Sequence, residues 1–241
     1  MSEVERAETG VQGLDQLLKG GIPSGHIVLV SGTSGSGKTT LTTEYLYHGA
    51  KDYGETGIYF SISEPVDNIK ETSKHFGMDF DDDDIKDKVH FEEVSNLMKS
   101  GSGGEVFEPQ RFMEKLKRKV EEVDADRLVL DSITKFAMVF DSSPVRREYV
   151  NELADFLRDH DVTACLLSEV PYSEQSEQVS RYEIIEFIVD GVLILGYERV
   201  ESSRTRTIEV FKMRRTDHSS DIHPLRITNN GIMTYPNQTA F

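Results

Sequence analysis

Apolar and polar positions divide the chain into short buried strands separated by helical stretches. Ile27 to Val30 is an unbroken apolar run, and Gly57 to Ser63 (GIYFSIS), Leu128 to Leu130 and Val162 to Leu167 read in the same way. Runs this short, without polar alternation, fit strands covered on both faces. Between them the spacing becomes helical. Residues 41–54 (LTTEYLYHGAKDYG) have helical spacing. A helix is predicted at roughly 65–76 with Val66, Ile69, Ser73 and Phe76 on one face, and another over Glu108 to Val123 that turns Phe112, Leu116, Val120 and Val123 inward. Pro144 opens a further helix to about His160. Leu14, Leu17 and Leu18 give a short amphipathic helix that Gly20-Gly21 and Pro23 end. Residues 88–95 (KVHFEEVS) read as a short strand, 100–104 (SGSGG) as a flexible surface loop or lid hinge, and 133–143 as a loop. Gly191 to Tyr197 and Thr205 to Met213 read as strands joined by a charged turn, and 222–236 as a final hairpin turning at Asn229-Asn230-Gly231. Strands alternating with helices predict one α/β domain over residues 1–241, with a mostly parallel central sheet and helices on both faces.

The first buried strand runs into the most informative stretch, Gly32-Thr33-Ser34-Gly35-Ser36-Gly37-Lys38-Thr39-Thr40. This is G-x-x-x-x-G-K-T between a strand and a helix, the context that makes the pattern a phosphate site. A loop that wraps a phosphate points several backbone N–H groups inward, which glycines permit. The helix that follows adds its N-terminal dipole. Residues Thr33 to Thr40 are therefore the candidate nucleotide contacts. Lys38 supplies a point charge to the outer phosphates, and the Thr39 hydroxyl is placed to hold Mg²⁺. Arg127-Leu-Val-Leu-Asp131-Ser132 is an apolar strand ending in an acid, and at this distance after a phosphate loop Asp131 is the second candidate for the Mg²⁺ shell. Glu64 follows the end of the strand read as next to the phosphate-loop strand, where open α/β sheets bind ligands. It either orients or deprotonates an attacking water, or favours the start of the next helix. Ser168-Glu169 ends another strand, as a γ-phosphate sensor or as a simple turn.

Charge narrows the partners. The net charge is −16, so repulsion from nucleic-acid phosphate is the default. Lys115, Lys117, Arg118 and Lys119 form a local basic patch that reads as the solvated face of a glutamate-rich helix. Asp81 to Asp84 read as a solvated acidic loop. No apolar run is long enough for a membrane span, MSEVERAETG lacks the apolar segment of a secretory signal, and the single cysteine, Cys165, lies in an apolar run. The expectation is a cytoplasmic protein without disulfides.

The segment GLDQLLKGGIPSG followed by the phosphate loop resembles the opening of RecA-superfamily ATPases of the KaiC-like branch, and the resemblance extends over about residues 9–235. It implies a RecA-like core with antiparallel C-terminal strands, a Mg²⁺-dependent ATPase and a homo-oligomer, hexameric in that family, that acts through protein partners. KaiC itself carries two such domains in tandem. KaiC-like proteins place a catalytic glutamate at the strand end occupied by Glu64, often as a Glu-Glu pair; this chain has Ser63-Glu64. Residues 210–218, VFKMRRTDH, resemble the family's K-[LM]-R-x-[ST]-x-H segment. By that resemblance Lys212, Met213, Arg214, Thr216 and His218 bind a neighbour's ATP, with Lys212 and Arg214 catalytic in trans. Three rivals stay open. An accessory ATPase on DNA would line a pore with Lys135, Arg146, Arg147 and Arg181, but the charge and Glu174, Glu177 and Glu183 oppose it. A nucleotide-switched scaffold would bind ATP and scarcely hydrolyse it. An autokinase would use Ser173, Ser176 or Ser180.

Overall fold

The structure, a computed structural model, describes residues 4–62, 64–94, 98–101, 104–170, 184–200 and 202–240. In chain order the elements are β1 (Arg6–Ala7), α1 (Leu14–Leu17), β2 (Ile22–Pro23), β3 (Ile27–Gly32), α2 (Lys38–His48), β4 (Gly57–Ser61), α3 (Val66–His75), β5 (Val89–Glu93), β6 (Met98–Gly101), β7 (Gly104–Phe107), α4 (Pro109–Val123), β8 (Arg127–Asp131), α5 (Ile133–Met138), α6 (Ser143–Asp159), β9 (Thr163–Glu169), α7 (Ile185–Ile188), β10 (Gly191–Val200), β11 (Ser203–Met213), β12 (Ile222–Thr228) and β13 (Gly231–Thr234). The main sheet runs β13-β12-β11-β10-β3-β9-β8-β4-β5. Strands β10, β3, β9, β8, β4 and β5 are parallel, and β11, β12 and β13 continue the sheet antiparallel.

Strand β3 lies in mid-sheet because its side chains can be covered on both sides. Val28 and Val30 join one apolar cluster with Leu41, Tyr45 and Leu46 of α2. Ile27 and Leu29 join the other, with Phe112 and Leu116 of α4 and Leu153 and Leu157 of α6. The two-residue alternation of a strand thus feeds two cores from one uninterrupted apolar run. Register then aligns the strand ends: Gly32 pairs with Leu195 of β10 and Glu169 of β9, while Asp131 pairs with Ser61 of β4 and Leu167 of β9.

Four expectations need correction. Residues 133–138 are the helix α5, not loop: Ser132 Oγ caps it by accepting the Lys135 N–H at 3.3 Å, and Ile133, Phe136 and Ala137 are buried. A six-residue helix is too short to show a clear period. Ser100, Gly101 and Gly104 of the expected SGSGG loop lie in strands, with Met98–Gly101 paired antiparallel to Gly104–Phe107. Strand β4 is not beside β3; β9 and β8 lie between them. Arg146 is not free to line a pore, because its guanidinium donates to Ala137 O at 2.9 Å and Phe140 O at 2.8 Å, tying α6 to the end of α5. The expected polar loop, with Glu174, Glu177, Arg181, Glu183 and the three candidate serines Ser173, Ser176 and Ser180, lies outside the described residues, as does Ser63.

Other surface readings gain partners. Lys115 pairs with Glu92 at 2.8 Å and Lys117 with Glu152 at 2.7 Å, so the basic face of α4 is largely neutralised by acids. Asp81 to Asp84 are exposed, with Asp81 on Lys70 at 2.8 Å. Among the described residues no helix is long and apolar enough to cross a membrane.

One buried charge ties α2 to β8. Arg127 is 1% exposed, bonds Glu55 through Nε, donates from Nη1 to Tyr45 O at 2.8 Å and lies 4.4 Å over the Tyr45 ring. Gly49 leaves room for it, since a Cβ there would meet Arg127 Nε at 2.5 Å. Removing the acid strands the guanidinium in the interior. Glu55→Gln is expected to cost about 3 kcal/mol of stability, read as a lower urea midpoint at unchanged slope.

Candidate functional site

The turn from β3 into α2 builds the floor of a cleft at the C-terminal edge of the parallel strands. Gly35 and Gly37 take φ of 78° and 107°, values that carry the chain round the loop and that side chains resist. Helix α2 begins at Lys38, so its free N–H groups face the loop. The cleft holds ≈ 390 Å³ and is lined by Ser34, Gly35 and the stretch from Gly37 to Thr40, by Glu64, Asp131 and Glu169 from three other strand ends, and by Arg206 and Ile227 from the antiparallel strands.

Lys38 is nearly buried, and its ammonium donates to Gly32 O at 2.9 Å and Thr33 O at 3.0 Å. Burial pushes its pKa down, against the pull of Glu169 and Asp131. Asp131 is pushed the other way: burial raises its pKa, while the Tyr59 hydroxyl, Lys38 and Thr39 oppose the rise. Tyr59 donates to Asp131 Oδ2 at 2.7 Å and Thr39 Oγ1 donates to the same oxygen at 3.4 Å. A hydroxyl and a carboxylate converging at the helix start form an oxygen donor set of the kind Mg²⁺ takes. Within the loop, the Ser36 hydroxyl is buried against Gly32 without a hydrogen-bond partner among the described residues.

The other strand ends are held in different ways. Glu169 follows Ser168, whose Oγ lies 3.2 Å from Thr134 Oγ1, and its own N–H donates to Thr134 at 3.0 Å. Helix α5 thus fixes the end of β9. Glu64 is exposed, and Ser61 holds its backbone: the Glu64 N–H donates to Ser61 Oγ at 3.2 Å and the Ser61 hydroxyl donates to Glu64 O at 2.5 Å. Although β4 is two strands further from β3 than expected, Glu64 still lines the cleft, and the Ile62 N–H, donating to Asp131 O at 2.7 Å, continues the pairing of β4 with β8 up to the cleft.

Arg206 escaped the sequence reading. Its Nε donates to Gly35 O at 2.9 Å, and its guanidinium lies 4.3 Å over the ring of Tyr197, which itself sits against Gly35. A brace and a cation therefore enter the loop from a strand more than 160 residues away. The local sequence, arginines alternating with threonines in SRTRT, gives only an exposed strand face.

The Lys212 segment is not brought to this cleft. Met213 pairs with Gly191, and Gly191 with Val28, four residues before Gly32. The segment lies at the opposite edge of the sheet, roughly 13 Å down the strand. There Lys212 donates to Glu186 O at 2.9 Å and Val189 O at 2.7 Å, and Arg214 pairs with Asp190 at 3.1 Å. Burial lowers the Lys212 pKa, and Arg214 adds to that. Met213 is buried against Gly191. Thr216 accepts from Arg6 at 2.7 Å, and His218 Nδ1 lies 2.8 Å from Ser219 O.

Comparison with known proteins gives a consistent result. The family model of the KaiC ATPase matches residues 7–239. The chain is 32% identical over 236 residues to a circadian clock oscillator protein KaiC of Picosynechococcus, across 97% of this chain and 45% of that protein. It thus spans less than half the length of the cyanobacterial relatives it matches. A UPF0273 protein of Thermotoga maritima is 30% identical over 246 residues, 98% of both chains. The crystal structure of a KaiC-like protein from the hyperthermophilic archaeon Pyrococcus horikoshii superposes with a TM-score of 0.84 at 32% identity, covering 97% of this chain and 100% of that one. The chain belongs to the KaiC family of P-loop ATPases.

Proposed function

We propose that this protein binds Mg·ATP in the cleft at the C-terminal edge of the sheet, hydrolyses it slowly, and does so as a head-to-tail homo-oligomer that works through protein partners. The observation that carries the reading is the convergence of Lys38, Thr39, Asp131, Glu64 and Glu169 on one cleft from four strand ends. Loop N–H groups and Lys38 take the phosphates, and the ammonium exchanges its two carbonyls for phosphate oxygens. Thr39 and Asp131 would hold Mg²⁺, which neutralises charge on the β- and γ-oxygens when bound. Glu64 accepts the proton of the water that attacks the γ-phosphorus as the bond to the β-γ bridging oxygen breaks. Its exposure, with only its backbone held among the described residues, supports slow turnover: a general base that is poorly positioned loses much of its effect.

The opposite-edge position of Lys212 and Arg214 supports the head-to-tail arrangement. Residues at one edge of a sheet cannot reach a ligand at the other edge of the same chain, but they can reach that of a neighbour stacked in a single repeating orientation, and such contacts form a ring when the rotation between neighbours closes. The net charge of −16 disfavours nucleic acid as the partner.

Three measurements test this. Lys38→Ala is expected to abolish tight Mg·ATP binding by calorimetry, since the loop loses its cation; undiminished affinity removes the assignment of the cleft. Glu64→Gln is expected to bind Mg·ATP like the parent and release phosphate roughly 10²-fold more slowly; surviving turnover returns Glu64 to a structural role. Lys212→Ala/Arg214→Ala and Glu64→Gln are each expected to be inactive alone, yet to regain activity when mixed and allowed to exchange subunits. About a quarter of randomly paired interfaces then combine an intact loop side with an intact finger side. Demonstrated exchange without recovered activity rules out the trans contact.

A further inference from the structure

The C-terminal hairpin forms one wall of the cleft, and it is tied to the phosphate-loop helix through a buried acid that the proposed chemistry does not use. Ile227 of β12 lines the cleft, and Ile227 and Ile232 together cover Gly37, where a Cβ would meet their Cδ1 atoms at 3.2 and 3.6 Å. Behind them stands Glu44 in the second turn of α2, 3% exposed. Its Oε2 accepts the Ile232 N–H at 2.8 Å. The carboxyl also fills the space beside Gly231, whose φ is 94° and where a Cβ would lie 2.5 Å from Oε2. The turn holds itself through Thr228, whose Oγ1 donates to Gly231 O at 3.0 Å, and the far end of β13 is anchored by Thr234 on Gln12 O. Between those points Glu44 fastens the hairpin to α2.

We infer that Glu44 is a positioning residue of the nucleotide site, a latch that holds the Ile227 hairpin on the phosphate loop when its carboxyl is protonated and loosens it when the carboxyl ionises. The inference rests on the reading of the cleft as the ATP site. A neutral carboxyl accepts the Ile232 N–H through its carbonyl oxygen and tolerates burial. A carboxylate in the same place gains one N–H donor and loses its water, which favours movement of the hairpin toward solvent. Burial pushes the Glu44 pKa up from 4.5 to about 7, and the Ile232 N–H is the one group opposing the rise. Among the described residues no charged side chain of α2, β12, β13 or any other element acts on it. The folded chain thus holds a proton that the unfolded chain has released. The stabilisation is complete below the unfolded value of 4.5 and is lost as pH rises through about 7.

Glu44→Gln keeps the acceptor and the size but does not titrate. The two proteins are compared from roughly pH 6 to 8.5, a range chosen to bracket the ordinary titration span of a shifted acid. One readout is hydrogen exchange of residues 227–234 without nucleotide, corrected for intrinsic rate; the other is affinity for Mg·ATP with Glu64→Gln in both backgrounds to suppress turnover. Hairpin opening is expected to rise with pH in the parent and to stay level in Glu44→Gln. Parent affinity is expected to fall roughly three- to tenfold further than that of Glu44→Gln, within the tenfold per pH unit that one proton allows. The γ-phosphate titrates alike in both experiments and cancels. Equal pH dependence in the two proteins overturns the latch. If Glu44→Gln does not fold, Gly231→Ala serves instead: it drives a methyl group into the carboxyl and is expected to raise hairpin exchange at every pH, and unchanged exchange overturns the latch. The two readings fail separately. PH-dependent exchange without any ATP binding supports the latch and removes the ATP assignment, whereas ATP binding that Lys38→Ala abolishes, with exchange level in pH, keeps the assignment and overturns the latch.

Discussion

The ammonium of Lys38 is held almost out of water on two carbonyls of its own loop, between the carboxylates of Asp131 and Glu169. A charge in that position is tolerable only where backbone oxygens face it and acids stand near it. Much of the architecture supplies those conditions. Gly32 and Thr33 present their carbonyls to the ammonium, and Gly35 and Gly37, in left-handed backbone, carry the chain round the rest of the loop. The parallel register of β3, β9 and β8 ends three strands at nearly one level, which brings Glu169 and Asp131 alongside. Tyr59, fully buried beneath, fixes Asp131 through its hydroxyl, and its own ionisation is suppressed by burial and by that acid.

The same arrangement gives the sheet a polarity. Its C-terminal edge carries the glycine-rich loop and three acids; its N-terminal edge carries Lys212 and Arg214, occupied with the carbonyls at the end of α7 and with Asp190. Asp190 also accepts the Ile27 N–H at 3.2 Å and pairs with Arg158 at 3.2 Å. Burial works against its charge, but these donors and His26 outweigh it, and its pKa is lowered. The base of β3 and the cationic segment are thereby one rigid unit. Whatever approaches Lys212 and Arg214 competes with carbonyls already in place, so an incoming group has to be strongly anionic, as a phosphate is.

The antiparallel strands do more than complete the sheet. Arg206 on Tyr197 braces the outside of the loop through Gly35, and the β12–β13 hairpin covers Gly37. The phosphate loop is thus gripped from the C-terminal third of the chain, and a local change in Glu44 or Tyr197 acts on the site without touching its ligand.

The sequence alone carried the parts whose physics is local. Glycines that permit left-handed backbone, an apolar run too short for a helix, a lysine and threonine at a helix start and an acid at a strand end are each readable in place. Together they gave the phosphate loop, Asp131, most strand positions and the α/β class. Tertiary structure decided what depends on register between distant segments. Strand order is set by which apolar faces cover one another, and it put β9 and β8 between β3 and β4. The brace from Arg206, the Tyr59–Asp131 bond and the Glu44–Ile232 latch join residues 171, 72 and 188 positions apart. No spacing rule reaches that far. Even Lys212, legible as a motif, received its place at the opposite edge from one fact that no local pattern contains: β11 runs antiparallel to β10, so its last residues lie level with the first residues of β3, across β10.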